Sequence, residues 1–233
     1  MLVLLPSWAR DDQCNGEEAD PLLEVQAEDP VQSAMTEKQK MLAGQLYRAN
    51  GPELIAERAR AQDLLYRFNA ARPEDVEGRL ALLKEFVGGL GEGSALNPSF
   101  RCDYGYNIFI GRNVFVNYDC VFLDCNRITI GDDVQIGPSV QIYTAGHPTD
   151  PETRRSGLEF ALPVTVGDNA WIGGGAILCP GVTIGANTVV GAGSVVIRDL
   201  PSGVVAVGNP CRVVSEARRA GSVEPGERPA WSG

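Results

Sequence analysis

Histidine occurs once in 233 residues, as His147. A metal centre built on several imidazoles is thereby excluded, and any proton transfer that needs an imidazole must use this one. The six cysteines, at positions 14, 102, 120, 125, 179 and 211, include no CxxC pair and fit neither zinc spacing nor a dense disulfide framework. Free thiols in a reducing compartment are the expected state. Positive charge is scarce: 20 Lys and Arg stand against 30 Asp and Glu. A net charge of -10 argues against a nucleic-acid partner, which needs a basic stripe for the phosphates. Long apolar runs are missing too. "MLVLLPSWARDD" has no basic residues ahead of it and no small-residue cleavage site, so it makes a poor signal peptide. Nothing approaches the ~18 apolar residues of a membrane span. The chain reads as cytoplasmic, with no membrane partner.

What is present falls into sections. Residues 1–34 are acidic and rich in Pro, Glu and Asp, with Arg10 the only basic residue, and are expected to form a disordered tail. Residues 35–95 carry a helical period and read as a small α-helical cap. Thr36 and Gln39 have capping-box spacing ahead of a stripe formed by Met41, Leu42, Leu46 and Tyr47. A second helix starts at Pro52 with Leu54, Ile55, Ala61, Leu64, Leu65 and Phe68. A third starts near Pro73 and places Val76, Leu80, Leu83 and Val87 on one side.

After Ser99 the period becomes six. Large apolar residues recur at Ile110, Val116 and Phe122, then Ile130, Ile136 and Ile142. A third block holds Val166, Ile172, Leu178, Ile184, Val190 and Val196. A second inward candidate precedes each by two positions: Ile108, Val114, Cys120, Ile128, Val134, Val140, Val164, Ala170, Ala176, Val182, Thr188 and Ser194. This period suits neither a helix nor a hairpin sheet. It predicts a hexapeptide β-helix over 96–214, eighteen residues to a coil, with Gly, Asn and Asp at the turns. Between Phe122 and Ile130 the step is eight, so two residues are added near Asp124 and Cys125. Between Ile142 and Val166 it is four hexads, so an excursion over 143–163, carrying His147, leaves the prism and returns in register. A loop of that length in a compact domain usually carries function. Residues 215–233 read as a C-terminal tail.

"FRCDYGYNIFIG", "LDCN", "QIYTAGHPTDPETR", "GDNAWIGGGAILCPGVTIG" and "VVAVGNPCRVV" resemble the maltose and galactoside O-acetyltransferase group of the hexapeptide-repeat acyltransferases. The likeness runs from about Met35 to Val214 and is closer to the maltose type. It implies a mainly β fold, a left-handed parallel β-helix behind a helical cap, assembled as a homotrimer. It also implies acetyl-CoA in a cleft between subunits, with no metal. The motif "AGHP" makes His147 the general base that takes a proton from a sugar hydroxyl, a task suited to imidazole, whose ordinary pKa is about 6.5.

Asn117 matches the substrate and transition-state contact, and is otherwise a turn residue. Asp103 and Asp124 match sugar-hydroxyl positions, the alternative being corner turns. Glu159 orients the imidazole, holds the sugar, or is a surface charge. Trp171, Gly174 and Ala192 match contacts along the cofactor, and Arg198 and Arg212 match contacts to its phosphates. Ala49 and Cys125 stand where the galactoside enzymes carry acidic residues, which favours glucose- or maltose-like acceptors. The other readings are an oligosaccharide or xenobiotic acceptor, or a non-catalytic hexapeptide-repeat scaffold.

Overall fold

A computed structural model describes residues 35–217; the 1–34 segment and residues 218–233 lie outside the described residues. All twelve aliphatic and aromatic positions of the period-six series are buried, and so are the twelve residues two places before them. The period predicted a prism, and these residues fill it.

Three parallel sheets make the prism. The first face stacks Gly89–Leu90, Ile108–Ile110, Ile128–Ile130, Val164–Val166 and Thr183–Ile184. The second stacks Ala95–Leu96, Phe115–Val116, Gln135–Ile136, Trp171–Ile172, Val189–Val190 and Val204–Val207. The third stacks Phe100–Cys102, Cys120–Leu123, Gln141–Tyr143, Ile177–Leu178 and Val195–Val196. Registers put like on like: Ile110 on Ile130, Ile130 on Val166, and Val166 on Ile184. A strand buried along one edge of its pleat can hold that register only if each inward residue meets another.

The boundary expected at residue 96 needs correction, because the first coil begins at Gly89. Its inward positions include Gly88 and Ser94 in place of the usual Val or Ile, which hid the period. Ser94 remains buried by donating its hydroxyl to the Gly111 carbonyl (2.6 Å) and accepting from the Val114 N–H (2.9 Å). At the other end Arg212–Glu216 runs antiparallel against Val204–Val207, past the expected boundary at Val214.

The cap holds three helices: α1 (Glu37–Leu42), α2 (Pro52–Ala70) and α3 (Val76–Phe86). The Thr36–Gln39 capping box forms in both directions. However, α1 stops early, with Gly44 at φ +74 just beyond it, so Leu46 and Tyr47 are not on its stripe. Asp75 caps α3 through Gly78 N–H (2.9 Å). Of the apolar side expected there, Val76 and Leu80 are exposed and Leu83 and Val87 are buried, with Phe86, outside the expected set, buried beside them. Rings at Phe68, Phe86, Phe100 and Phe122 follow one another at 5.7, 6.2 and 5.1 Å between centroids, from α2 into the prism. Each such buried side chain contributes about 1.5–3 kcal/mol, so the cap is fused to the coil beneath it.

Candidate active site

Three successive coils are widened at the same corner, where the third face turns into the first. The steps from Cys102 to Ile110 and from Phe122 to Ile130 are both eight, and the corner after Tyr143 opens into the excursion. Extra backbone at a corner leaves N–H groups without ladder partners, and side chains must take them. Asp124 does so. Its fully buried carboxylate accepts from the N–H groups of Asp103 (3.0 Å), Tyr104 (2.8 Å) and Asn107 (3.3 Å). Burial pushes this carboxyl up to about 7, against the pull of those donors. The sugar-ligand reading of Asp124 is therefore corrected: the side chain is closed off and braces the corner.

Asp103 is half-buried and differently placed. Its Oδ2 receives the Cys125 thiol at 3.4 Å, and Oδ1 has no partner among the described residues. Burial raises its pKa, opposed by the Cys125 contact and the Arg58 charge. Cys125 is buried, and its burial with Asp103 beside it raises the thiol pKa, so it is a protonated donor and not a nucleophile. Arg58 of α2 donates to the Tyr104 hydroxyl (2.8 Å) and the Ala49 carbonyl (2.7 Å), which draws Ala49 and Tyr104 together.

The excursion is an ordered hairpin. Ala145–Gly146 pairs antiparallel with Phe160–Ala161, and the short α4 (Pro151–Arg155), capped by Asp150, forms its tip. A Cβ on Gly146 would fall 2.6 Å from the Phe160 ring, so a larger residue before His147 would push that ring aside. His147 is half-buried, and its side chain has no hydrogen-bond partner among the described residues. Glu159 is held by Tyr47: Tyr47 N–H to Glu159 O (2.9 Å), Glu159 N–H to Tyr47 O (3.0 Å), and the phenol to Oε2 (3.1 Å). Asn126 binds the same parts together, its amide donating to Met41 O (3.2 Å), Leu42 O (3.3 Å) and Ala161 O (2.8 Å).

A second column stands where the second face turns into the third. Asn117, Gly137, Gly174 and Ala192 occupy successive coils there. A Cβ on Gly137 would lie 2.5 Å from Gly174 N, and one on Gly173 would lie 2.5 Å from Ala192 N. Asn117 is indeed a turn residue, its Oδ1 accepting from Tyr118 N–H at 2.8 Å. That leaves its two amide hydrogens without a partner among the described residues. Trp171 and Tyr118 are exposed nearby, the first on the second face and the second beside Asn117.

The remaining candidates are scattered. Arg198 is exposed at the third-to-first corner, away from Gly174 and Ala192, and Arg212 is exposed at the start of the terminal strand, donating to Cys211 O (3.0 Å). The stretch from Asn117 to Asp124 runs along the third face, roughly 20 Å at about 3.3 Å per residue. The candidate residues of one chain thus fall into two groups, one at each edge of a face. Tyr47, Arg58, Tyr104 and Asn126 were not foreseen, because their roles depend on contacts such as Asn126 with Ala161, Arg58 with Tyr104 and Tyr47 with Glu159, 35, 46 and 112 residues apart. Among the described residues no group of three or more His, Cys, Asp or Glu could hold a metal, and no helix is long and apolar enough to cross a membrane.

Known proteins resemble this chain in sequence and fold. Residues 40–91 match the maltose acetyltransferase hexapeptide capping motif, and residues 163–198 match the bacterial transferase hexapeptide of six repeats. Nodulation protein L of Rhizobium meliloti is 52% identical over 178 residues, 76% of this chain and 97% of that protein. The crystal structure of a maltose O-acetyltransferase from Clostridium difficile superposes with a TM-score of 0.79 at 51% identity, covering 80% of this chain and all of that one. A galactoside acetyltransferase in complex with coenzyme A gives 0.77 at 41%, covering 79% and 92%. A hexapeptide-repeat acetyltransferase from Vibrio cholerae, complexed with acetyl coenzyme A, gives 0.74 at 39%, covering 79% and 100%.

Proposed function

The chain belongs to the maltose and galactoside O-acetyltransferase group of hexapeptide-repeat acyltransferases, which use acetyl-CoA, and from that premise we propose that it acetylates a hydroxyl of a small sugar such as maltose or glucose, with His147 as general base. The observation that carries this reading is the widened corner. It carries the only imidazole of the chain, in the excursion, and a half-buried carboxylate whose Oδ1 has no partner among the described residues.

A neutral sugar hydroxyl attacks a thioester poorly unless its proton is removed as the bond forms. His147 accepts that proton and later returns it to the leaving thiolate of coenzyme A. As the C–O bond forms, negative charge grows on the acetyl oxygen, and the Asn117 amide is a donor suited to it. Oδ1 of Asp103 accepts from a neighbouring sugar hydroxyl and fixes the ring. Ala49 and Cys125 supply no second carboxylate, which favours glucose- and maltose-like acceptors over galactosides.

Reacting atoms must come within about 3–3.5 Å, whereas His147 and Asn117 lie on different corners of one chain. A homotrimer resolves this, each site pairing the His147 corner of one copy with the Asn117 column of its neighbour. The glycine-lined column then leaves room for the pantetheine arm, with Trp171 as a wall and Arg198 and Arg212 for the phosphates.

Release of free coenzyme A thiol, followed with glucose, maltose, an alkyl galactoside and chloramphenicol as acceptors, tests the reading. We expect the highest kcat/KM for glucose or maltose. His147→Ala should lower kcat by about 10²–10⁴-fold with KM for acetyl-CoA unchanged. Retained activity in His147→Ala removes the base, a preference for the galactoside removes the specificity, and a preference for chloramphenicol removes the sugar.

A further inference from the structure

We propose that Tyr47 is a positioning residue, its clasp on Glu159 holding the return strand of the excursion and thereby setting where the His147 imidazole stands. This rests on the reading of His147 as the base. The excursion pairs Ala145 with Ala161 and Gly146 with Phe160. The recorded pairing ends there; continued one step, that register would set His147 opposite Glu159, where opposed side chains of an antiparallel pair point to the same side with Cβ atoms about 4.5–5.5 Å apart.

Glu159 is therefore the middle of three. His147 lies across one edge, and Tyr47 bridges the other as an isolated antiparallel pair. Both backbone groups of Glu159 and one carboxylate oxygen are taken by Tyr47. Arg48 adds a neighbouring tie, Nη1 to Ser156 O at 2.9 Å. Tyr47 itself is fully buried against Met41, Leu54, Tyr104, Cys125 and Ala161, so the clasp is anchored in the cap. Among the described residues, Arg48 and Asn126 supply the further side-chain ties to the excursion on this side. Without the phenol the ring would still fill its place, but Glu159 would be free to swing and the edge opposite His147 would loosen.

Steady-state kinetics on the full chain separate this from a purely structural role. Tyr47→Phe should lower kcat about tenfold and leave KM for acetyl-CoA unchanged. Glu159→Ala should lose a similar factor, the double variant no more than either, and Glu159→Gln, whose amide oxygen still accepts from the phenol, should recover most of that loss. In the His147→Ala background Tyr47→Phe should have no further effect, since it acts through the imidazole. The proposal is overturned if Tyr47→Phe moves only the thermal midpoint, if it slows the His147→Ala enzyme equally, or if Glu159→Gln raises acceptor KM while Tyr47→Phe does not. High activity in His147→Ala would sink the underlying reading, and is a separate result.

Discussion

Replacing Gly137 by alanine offers a severe test of how tightly the coils are stacked. A Cβ at this position would lie 2.5 Å from Gly174 N, 2.9 Å from Gly174 Cα and 3.1 Å from the Gly173 carbonyl carbon. All three are backbone atoms of the next coil, so no side chain can turn aside. Restoring an ordinary contact needs a local separation of about 1 Å on a coil spacing of about 4.8 Å. The Gly137 N–H to Ile172 O and Gly175 N–H to Pro138 O bonds, both 2.8 Å, would then exceed bonding distance. Two backbone bonds at about 1 kcal/mol each and overpacking of about 1–3 kcal/mol give an expected loss of about 3–5 kcal/mol. Gly193→Ala is the control. That residue has φ +71 but nothing within 4 Å, so its cost is left-handed strain alone, about 1–2 kcal/mol. Guanidinium unfolding at one fixed protein concentration measures both variants, since association makes midpoints concentration-dependent. Gly137→Ala costing no more than Gly193→Ala would refute the stacking argument.

Other expectations follow from the corner and the assembly. Asp124→Asn keeps one acceptor but turns a donor toward the Asn107 N–H, and should cost about 1–3 kcal/mol in chemical unfolding. Since burial raises this carboxyl to about 7, the folded state favours its proton. The wild type then loses stability from this group as pH rises from about 4 through 7, and the deficit of Asp124→Asn should shrink over that window. A deficit that grows with pH would reverse the assignment. Light scattering of the wild type should give three times the chain mass, and a monomer active at the same concentration would contradict the shared site.

The coil was legible because its residues obey one rule at every turn but the first. Val166 and Ile184 are eighteen apart in the chain and neighbours in the prism, so position modulo six nearly determines burial. Its first turn broke the rule at Gly88 and Ser94, where small residues take the inward places. The site was harder to read. Asn117 and His147 were visible as motif residues, but Asp103 and Asp124 looked alike in sequence and differ because only Asp124 has the corner's N–H groups around it. Tyr47 was read as part of an apolar stripe. Its phenol acquires a role through Glu159, 112 residues later, and no local pattern encodes that distance.

The two ends of the coil have a further consequence. A parallel stack has no intrinsic stop, since its last rung offers the same N–H and C=O edge as every rung before it. Here the cap helices cover the first coil, and Arg212–Glu216, reversed in direction, occupies the edge of Val204–Val207. A second chain cannot continue the winding from a strand that runs the wrong way. On this face the closing strand therefore fills the backbone edge from which a further parallel rung would start, and a chain ending at Val207 would leave that edge unpaired.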